Sequence, residues 1–277
     1  MYRPQDFDLV GTINLQTRLL AFAYFLGVMV GDLSKHANYQ RTPRTMTALL
    51  QLSQRYERNL RFGNFVAFCA ALLGVPMKRI KDYVRPIGAP YDAYRWESRQ
   101  SRLFMWMFEK CLGLREGETT TNFPIRAGWL TKTPRQFQIF FLQGFADSDG
   151  YVDLNKHEIG IVVDPNEILI GTILQNLETR FRPAVIKNQA TVLMSIKEGF
   201  GVPVFSPYAR THKFELTKQL VEAKRFRGAW PRWLRREVDD LLDQNEPSGK
   251  IVRTILTKYN VAIRSQHLRR ARIAETL

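Results

Sequence analysis

Two aspartates occupy matching places in two stretches of the chain, FLGVMVGDL (25–33) and FLQGFADSDG (141–150). In each, a glycine precedes the acid by five residues: Gly27 before Asp32 and Gly144 before Asp149. Carboxylates brought together repel each other unless a cation lies between them. The four histidines are scattered and the two cysteines sit in apolar runs, so zinc spacing is absent. Hard oxygen donors alone suit Mg²⁺, with Mn²⁺ as a substitute. Two or more such ions activate water and stabilise a leaving oxygen in phosphodiester cleavage. The competing reading is a pair of capped, solvated helix ends. Two copies in one frame, each followed by similar elements, favour the site.

To bring the acids together, each stretch must end a helix, one over about 15–31 and one capped by Thr133, opened by Pro134 and running to Ser148. Residues four apart share a helix face, so Gly27 with Gly31 and Gly144 with Ser148 form two small-residue stripes along which backbones can approach. Packing along them would bring Asp32 and Asp149 out at one end. Asp147 lies about 200° around the helix from Asp149 and points elsewhere.

The elements that follow also repeat. A polar strand-like segment (LSKHANYQ or YVDLNKHE) leads to an apolar strand (47–53 or 158–163), then an amphipathic helix (59–74 or 166–181). Two more strands are expected in 84–100 and, by a shared Pro-Tyr turn, in 204–218, with a possible extra hairpin at 184–198. The chain thus divides into repeats over 1–128 and 129–225 and a helical extension over 226–277.

At 277 residues the chain can bury a large core. Lys+Arg 41 against Asp+Glu 26 gives a formal charge of +15, which points to a polyanionic partner, nucleic acid before membrane. Cys69 and Cys111 read as core thiols of a reducing compartment. The longest uncharged apolar run, 19–30, has 12 residues and is too short to span a bilayer. The N-terminus lacks a signal-peptide pattern, so an intracellular protein is expected, in cytoplasm, nucleoid or an organelle and not secreted.

FLGVMVGDL, LQGFADSDG and the lead-in FPIRAGWLTKTPRQFQIFFLQGFADSDGYVD resemble the motifs of the LAGLIDADG homing endonucleases in their single-chain, two-repeat form, over roughly 15–222. The resemblance implies an α+β fold of two pseudo-symmetric αββαββ repeats whose antiparallel sheets form a DNA-binding saddle. It implies a monomer that cuts a long double-stranded DNA site, about 20 base pairs, with Asp32 and Asp149 as metal ligands. It implies polar partners at strand ends: Gln54 in the first repeat, with Asp164 at the matching place in the second, and a lysine. Lys218 fits the lysine best, because it lies 69 residues beyond Asp149 as Gln100 lies 68 beyond Asp32; Lys197 is the runner-up. DNA contacts are expected from Lys35, His36, Asn38, Gln40, Tyr151, Asn155 and Lys156. Leu33 departs from the family pattern, which has glycine there, and would resist a left-handed backbone past the helix end.

The segment 248–277 holds seven Lys/Arg and one acid and reads as a helix-turn-helix, its second helix beginning near Ser265. That feature supports an alternative, a non-cleaving DNA-binding transcription regulator on the same core. An RNA-splicing helper would also keep the fold. A gene inside an intron would favour homing.

Overall fold

Helix α1 (Leu15–Val30) begins at Asn14, whose side chain accepts the amide of Thr17 at 2.9 Å while Thr17 caps in return. It ends as Gly31 donates its N–H to Gly27 O at 3.3 Å. The computed structural model describes residues 3–8, 14–40, 42–80, 92–153, 156–223, 232–259, 263 and 268. After α1 come β1 (Leu33–Asn38), β2 (Thr45–Ser53), α2 (Arg58–Leu72), β3 (Met77–Ile80) and β4 (Ala93–Ser98). In β2 the side chains alternate, and Met46, Ala48, Leu50 and Leu52 turn inward beneath α2 as the two-residue period requires.

A short helix α3 (Arg102–Trp106), a π turn (Met107–Cys111) and a 3-10 turn (Gly128–Lys132) lead to the second unit. It comprises α4 (Arg135–Asp149), β5 (Gly150–Asp153), β6 (Glu158–Val162), α5 (Glu167–Asn176), β7 (Arg182–Ile186) and β8 (Gln189–Ser195). Both sheets are antiparallel throughout, ordered β1-β2-β4-β3 and β5-β6-β8-β7. This is the α+β pair of αββαββ units that the resemblance implies.

Four expectations about the elements are corrected. The closing strands of the first unit, expected in 84–100, are β3 at Met77–Ile80 and β4, so only the second lies in that span. Helix α4 starts one residue late, because Pro134 has ψ 146° and belongs to the extended approach. The last strand pair of the second unit is the hairpin β7–β8, not 204–218. That later stretch forms a loop and then helix α7 (His212–Ala223), which follows the short α6 (Ile196–Gly201). Leu33 meets no left-handed demand: it opens β1 opposite Leu50 and is 1% exposed. Its counterpart Gly150 is extended too, at φ −85°, ψ 162°.

Two further helices, α8 (Arg232–Asp243) and α9 (Ser248–Tyr259), pack inward through Trp233, Leu234, Val238, Ile251 and Ile255. Gln136 of α4 donates to Thr257 O of α9 at 3.2 Å. The second helix expected near Ser265 lies outside the described residues. Among the described residues no helix is long and apolar enough to cross a membrane.

Candidate functional site

Helices α1 and α4 meet without intervening side chains. A Cβ at Gly27 would overlap Phe141 O and stand 2.7 Å from Phe145 N; one at Gly144 would overlap Tyr24 O and stand 3.0 Å from Val28 N. A Cβ at Gly31 would run into Ser148 and lie 2.8 Å from Asp149 Oδ2. Asp149 therefore reaches across the helix pair to the residue just before Asp32. The two acids, 117 positions apart in the chain, share one end of the pair.

Asp32 presents surface to solvent yet stands in a crowded concavity, and this crowding raises its carboxyl pKa against the pull of Lys213 and Lys35. Burial first and the charge of Asp32 second push Asp149 up to about 7. Among the described residues no hydrogen bond reaches either carboxylate. Their oxygens are left to a cation or to solvent.

Two half-buried lysines sit beside the acids. Lys35 shares the inward parity of Leu33 and Ala37 in β1, and its ammonium donates to Met29 O at 2.7 Å and to Thr120 Oγ1 at 2.8 Å. Burial lowers its pKa to about 8, opposed by Asp149 and Asp32. This placement corrects its assignment to the outer, DNA-reading face. Lys213 of α7 donates to Asp147 O at 2.6 Å, Ser148 O at 2.7 Å and Ala146 O at 3.5 Å, so it caps the last turn of α4. Burial lowers its pKa as well, opposed by Asp32, Asp147 and Asp149. Each acid-bearing helix thus ends on a half-buried ammonium, one from the adjoining strand and one from a distant helix.

Lys218, favoured from chain spacing, is exposed on α7 five residues beyond Lys213, and Lys197 is exposed just past β8. Gln54 stands at the end of β2, its N–H donating to Asp92 O at 2.8 Å; Asp164 is exposed in the turn after β6. His36, Gln40 and Lys156 are exposed, Asn38 and Tyr151 partly so, and Asn155 lies outside the described residues.

Asp147 points away from the acid pair, as its place on the helix requires. It is 2% exposed and accepts Tyr24 Oη at 2.8 Å, Thr211 Oγ1 at 3.3 Å and the Ser206 amide at 3.3 Å. Burial raises its pKa to about 7. It anchors the 202–211 loop to α4, and that loop delivers Lys213. The same strap is pinned to the first unit by Tyr56 stacked on His212 (3.9 Å, 8°) and by Arg58 with Glu215 at 3.3 Å.

A substitution separates the lysines. Lys213→Met should lower the melting temperature clearly, because hydrogen bonds from a charged donor contribute about 1.5–3 kcal/mol and the acids lose a counter-charge. Lys218→Met should melt within about 0.5 kcal/mol of the parent, as exposed substitutions do. Equal melting of both variants would remove Lys213 from the site.

The architecture defines an α+β protein of two αββαββ units joined at a glycine-lined helix pair, with an aspartate ending each helix. No protein-family model matches the chain, and a search of curated proteins gives no match. Among solved structures it is similar to I-DmoI in complex with DNA and Mn, at 16% identity over 70% of this chain and 99% of that one, TM-score 0.47. It is similar to the homing endonuclease I-WcaI bound to its DNA recognition sequence, at 11% identity over 75% and 94%, TM-score 0.48. It is also similar to full-length DUF199/WhiA from Thermatoga maritima, at 12% identity over 96% and 95%, TM-score 0.46.

Proposed function

We propose that the protein is a monomeric, divalent-metal-dependent endonuclease that cuts a long double-stranded DNA site, of the homing type. The observation that carries this reading is the convergence of Asp32 and Asp149 at one end of a helix pair too close-packed to admit any side chain between them. Among the described residues no hydrogen bond reaches their oxygens, and burial first and the charge of Asp32 second raise the Asp149 pKa. That donor set fits a hard cation, so Asp32 and Asp149 would hold Mg²⁺, or Mn²⁺ in its place. Bound there, the ions would supply an activated water and charge neutralisation at the scissile phosphate.

The chain's own residues hold this arrangement. Lys213 and Lys35 fix the helix ends that carry the acids and offset part of their repulsion. Gln54 follows β2, its side-chain N–H donating to Ala93 O at 3.4 Å, and would offer its amide oxygen to a water at the rim. Ser34 and His36 are exposed on the outward parity of β1, with Asn38 and Gln40 following them, and Tyr151 and Lys156 occupy the matching stretch of the second unit, where a duplex-reading surface would need them. A chain of net charge +15 supplies the phosphate attraction.

A second reading, the non-cleaving DNA-binding regulator, is favoured by one observation. Two lysines beside two carboxylates already balance the charge of the site. A library of random-sequence duplexes separates the readings. The nuclease should enrich sites of about 20 base pairs and cleave them in Mg²⁺ or Mn²⁺ but not in a chelator. Specific retention with no cut in either metal would establish the regulator.

A further inference from the structure

Away from the acids, a cavity of about 160 Å³ opens between α1, α2, α4, α9 and the 202–211 loop. We propose that it is a binding site for a small, flat, uncharged apolar molecule of one or two rings. Its walls include Tyr24, Phe65, Phe140 and Tyr208, with Ala21 leaving the space and Leu256 at the mouth. Tyr24, Phe65, Ala21 and Phe140 are 0%, 3%, 5% and 6% exposed, so the floor of the space is core, while Leu256 and Asp8 at the rim leave it open to solvent. Protein interiors pack so densely that voids beyond the size of a water are few. Apolar cavities of about 150 Å³ stay dry and take up benzene.

Two polar groups of the wall are already committed, and others, the Tyr208 and Thr257 hydroxyls and the Cys69 thiol, are uncharged, which disfavours a charged ligand. The Tyr24 hydroxyl donates to Asp147 at 2.8 Å, so this residue offers its ring face and not its oxygen. Asp8 at the rim is held by Arg61 and Arg210, each at 3.1 Å. A charged ligand would leave water without a replacement partner, whereas an uncharged ring loses nothing.

The cavity also touches what holds the acids. Tyr24 bonds Asp147, whose other donors, Ser206 and Thr211, flank Tyr208 in the loop that delivers Lys213. A ring seated between Tyr24 and Tyr208 therefore braces that loop from behind. Nothing in this inference depends on the nuclease reading.

The test uses the full chain with indole as the probe and benzoate as the charged control. Saturation-transfer NMR should show saturable indole uptake, melting should rise with indole concentration, and amide exchange over 205–214 should slow. Ala21→Leu, which fills the cavity, and Leu256→Trp, which closes its mouth at an exposed position, should each weaken indole at least tenfold. Benzoate should bind neither the parent nor the variants. Absence of saturable indole binding by the parent would overturn the proposal. So would indole affinity unchanged in both variants, or benzoate bound as well as indole. Should Ala21→Leu fail to fold, Leu256→Trp decides alone.

Discussion

Asp149→Asn and Asp32→Asn are each expected to abolish cleavage, by at least the 10²–10³-fold (order of magnitude) typical of losing one preorganised electrostatic group, while DNA affinity holds or rises. The rise follows from removing a negative charge that faces phosphate. The same variants should lose their thermal response to Mg²⁺. A ligand that binds only the folded state at 100 times its Kd stabilises by about 2.7 kcal/mol, and a site reduced to one carboxylate forfeits most of that. The pH dependence has a definite sign. Asp149 titrates near 7 when folded against an ordinary 3.8, so its contribution to stability is present below 3.8 and is lost as pH rises through about 7. Mg²⁺ binds the deprotonated pair and should offset that loss, so its stabilising effect should grow from pH 5 to 8. Cleavage, gel-shift and melting curves on the parent and both variants give the answer. Full cleavage by the Asp149 variant would sink the mechanism.

Asp147→Asn looks mild from helix geometry alone, since the side chain points away from the acid pair. The structure reverses this for stability. An amide presents donors where Ser206 N–H and Thr211 also donate, so the loop that carries Lys213 should loosen. What the sequence lacked was not the direction of Asp147 but the identity of what meets it there.

The rest of the site was legible in the same uneven way. Asp32 and Asp149 stood out because a fixed frame of small residues preceded both. Lys213 had no such frame: its place depends on α7 crossing back under α4 after the whole second sheet is complete. The local pattern KFELTK suits a strand as well as a helix, and Pro207-Tyr208 imitates Pro90-Tyr91 of the first unit. A signal for the true strand pair was present. Lys187 and Asn188 have φ 51° and 64°, the two-residue hairpin turn that asparagine tolerates, set between apolar alternations. Lys35 was misplaced for a simpler reason. Its parity with Leu33 puts it inward, whereas a lysine is mostly found exposed, so its residue type pointed the other way.

The glycine stripe sets the second large effect. Gly→Ala inside a helix ordinarily stabilises by up to about 1 kcal/mol, through propensity alone. Gly171 of α5 should behave so, since a Cβ there meets only the Phe181 ring, at 3.7 Å. Gly27→Ala and Gly144→Ala should show the opposite sign, because the new carbon would overlap backbone of the facing helix, which cannot move without separating α1 from α4. The leucine variants at both positions should cost more than the roughly 1–3 kcal/mol of ordinary overpacking. At about 2–4 °C per kcal/mol for a chain of this size class, the alanine variants should melt several degrees below the parent and the Gly171 variant at or above it. The acids ride on these same helices, so the Gly144→Ala protein should also lose Mg²⁺ stabilisation even where it remains folded. Melting of Gly27→Ala and Gly144→Ala at or above the parent would mean that the helices do not meet along this stripe, and the shared end for Asp32 and Asp149 would go with it.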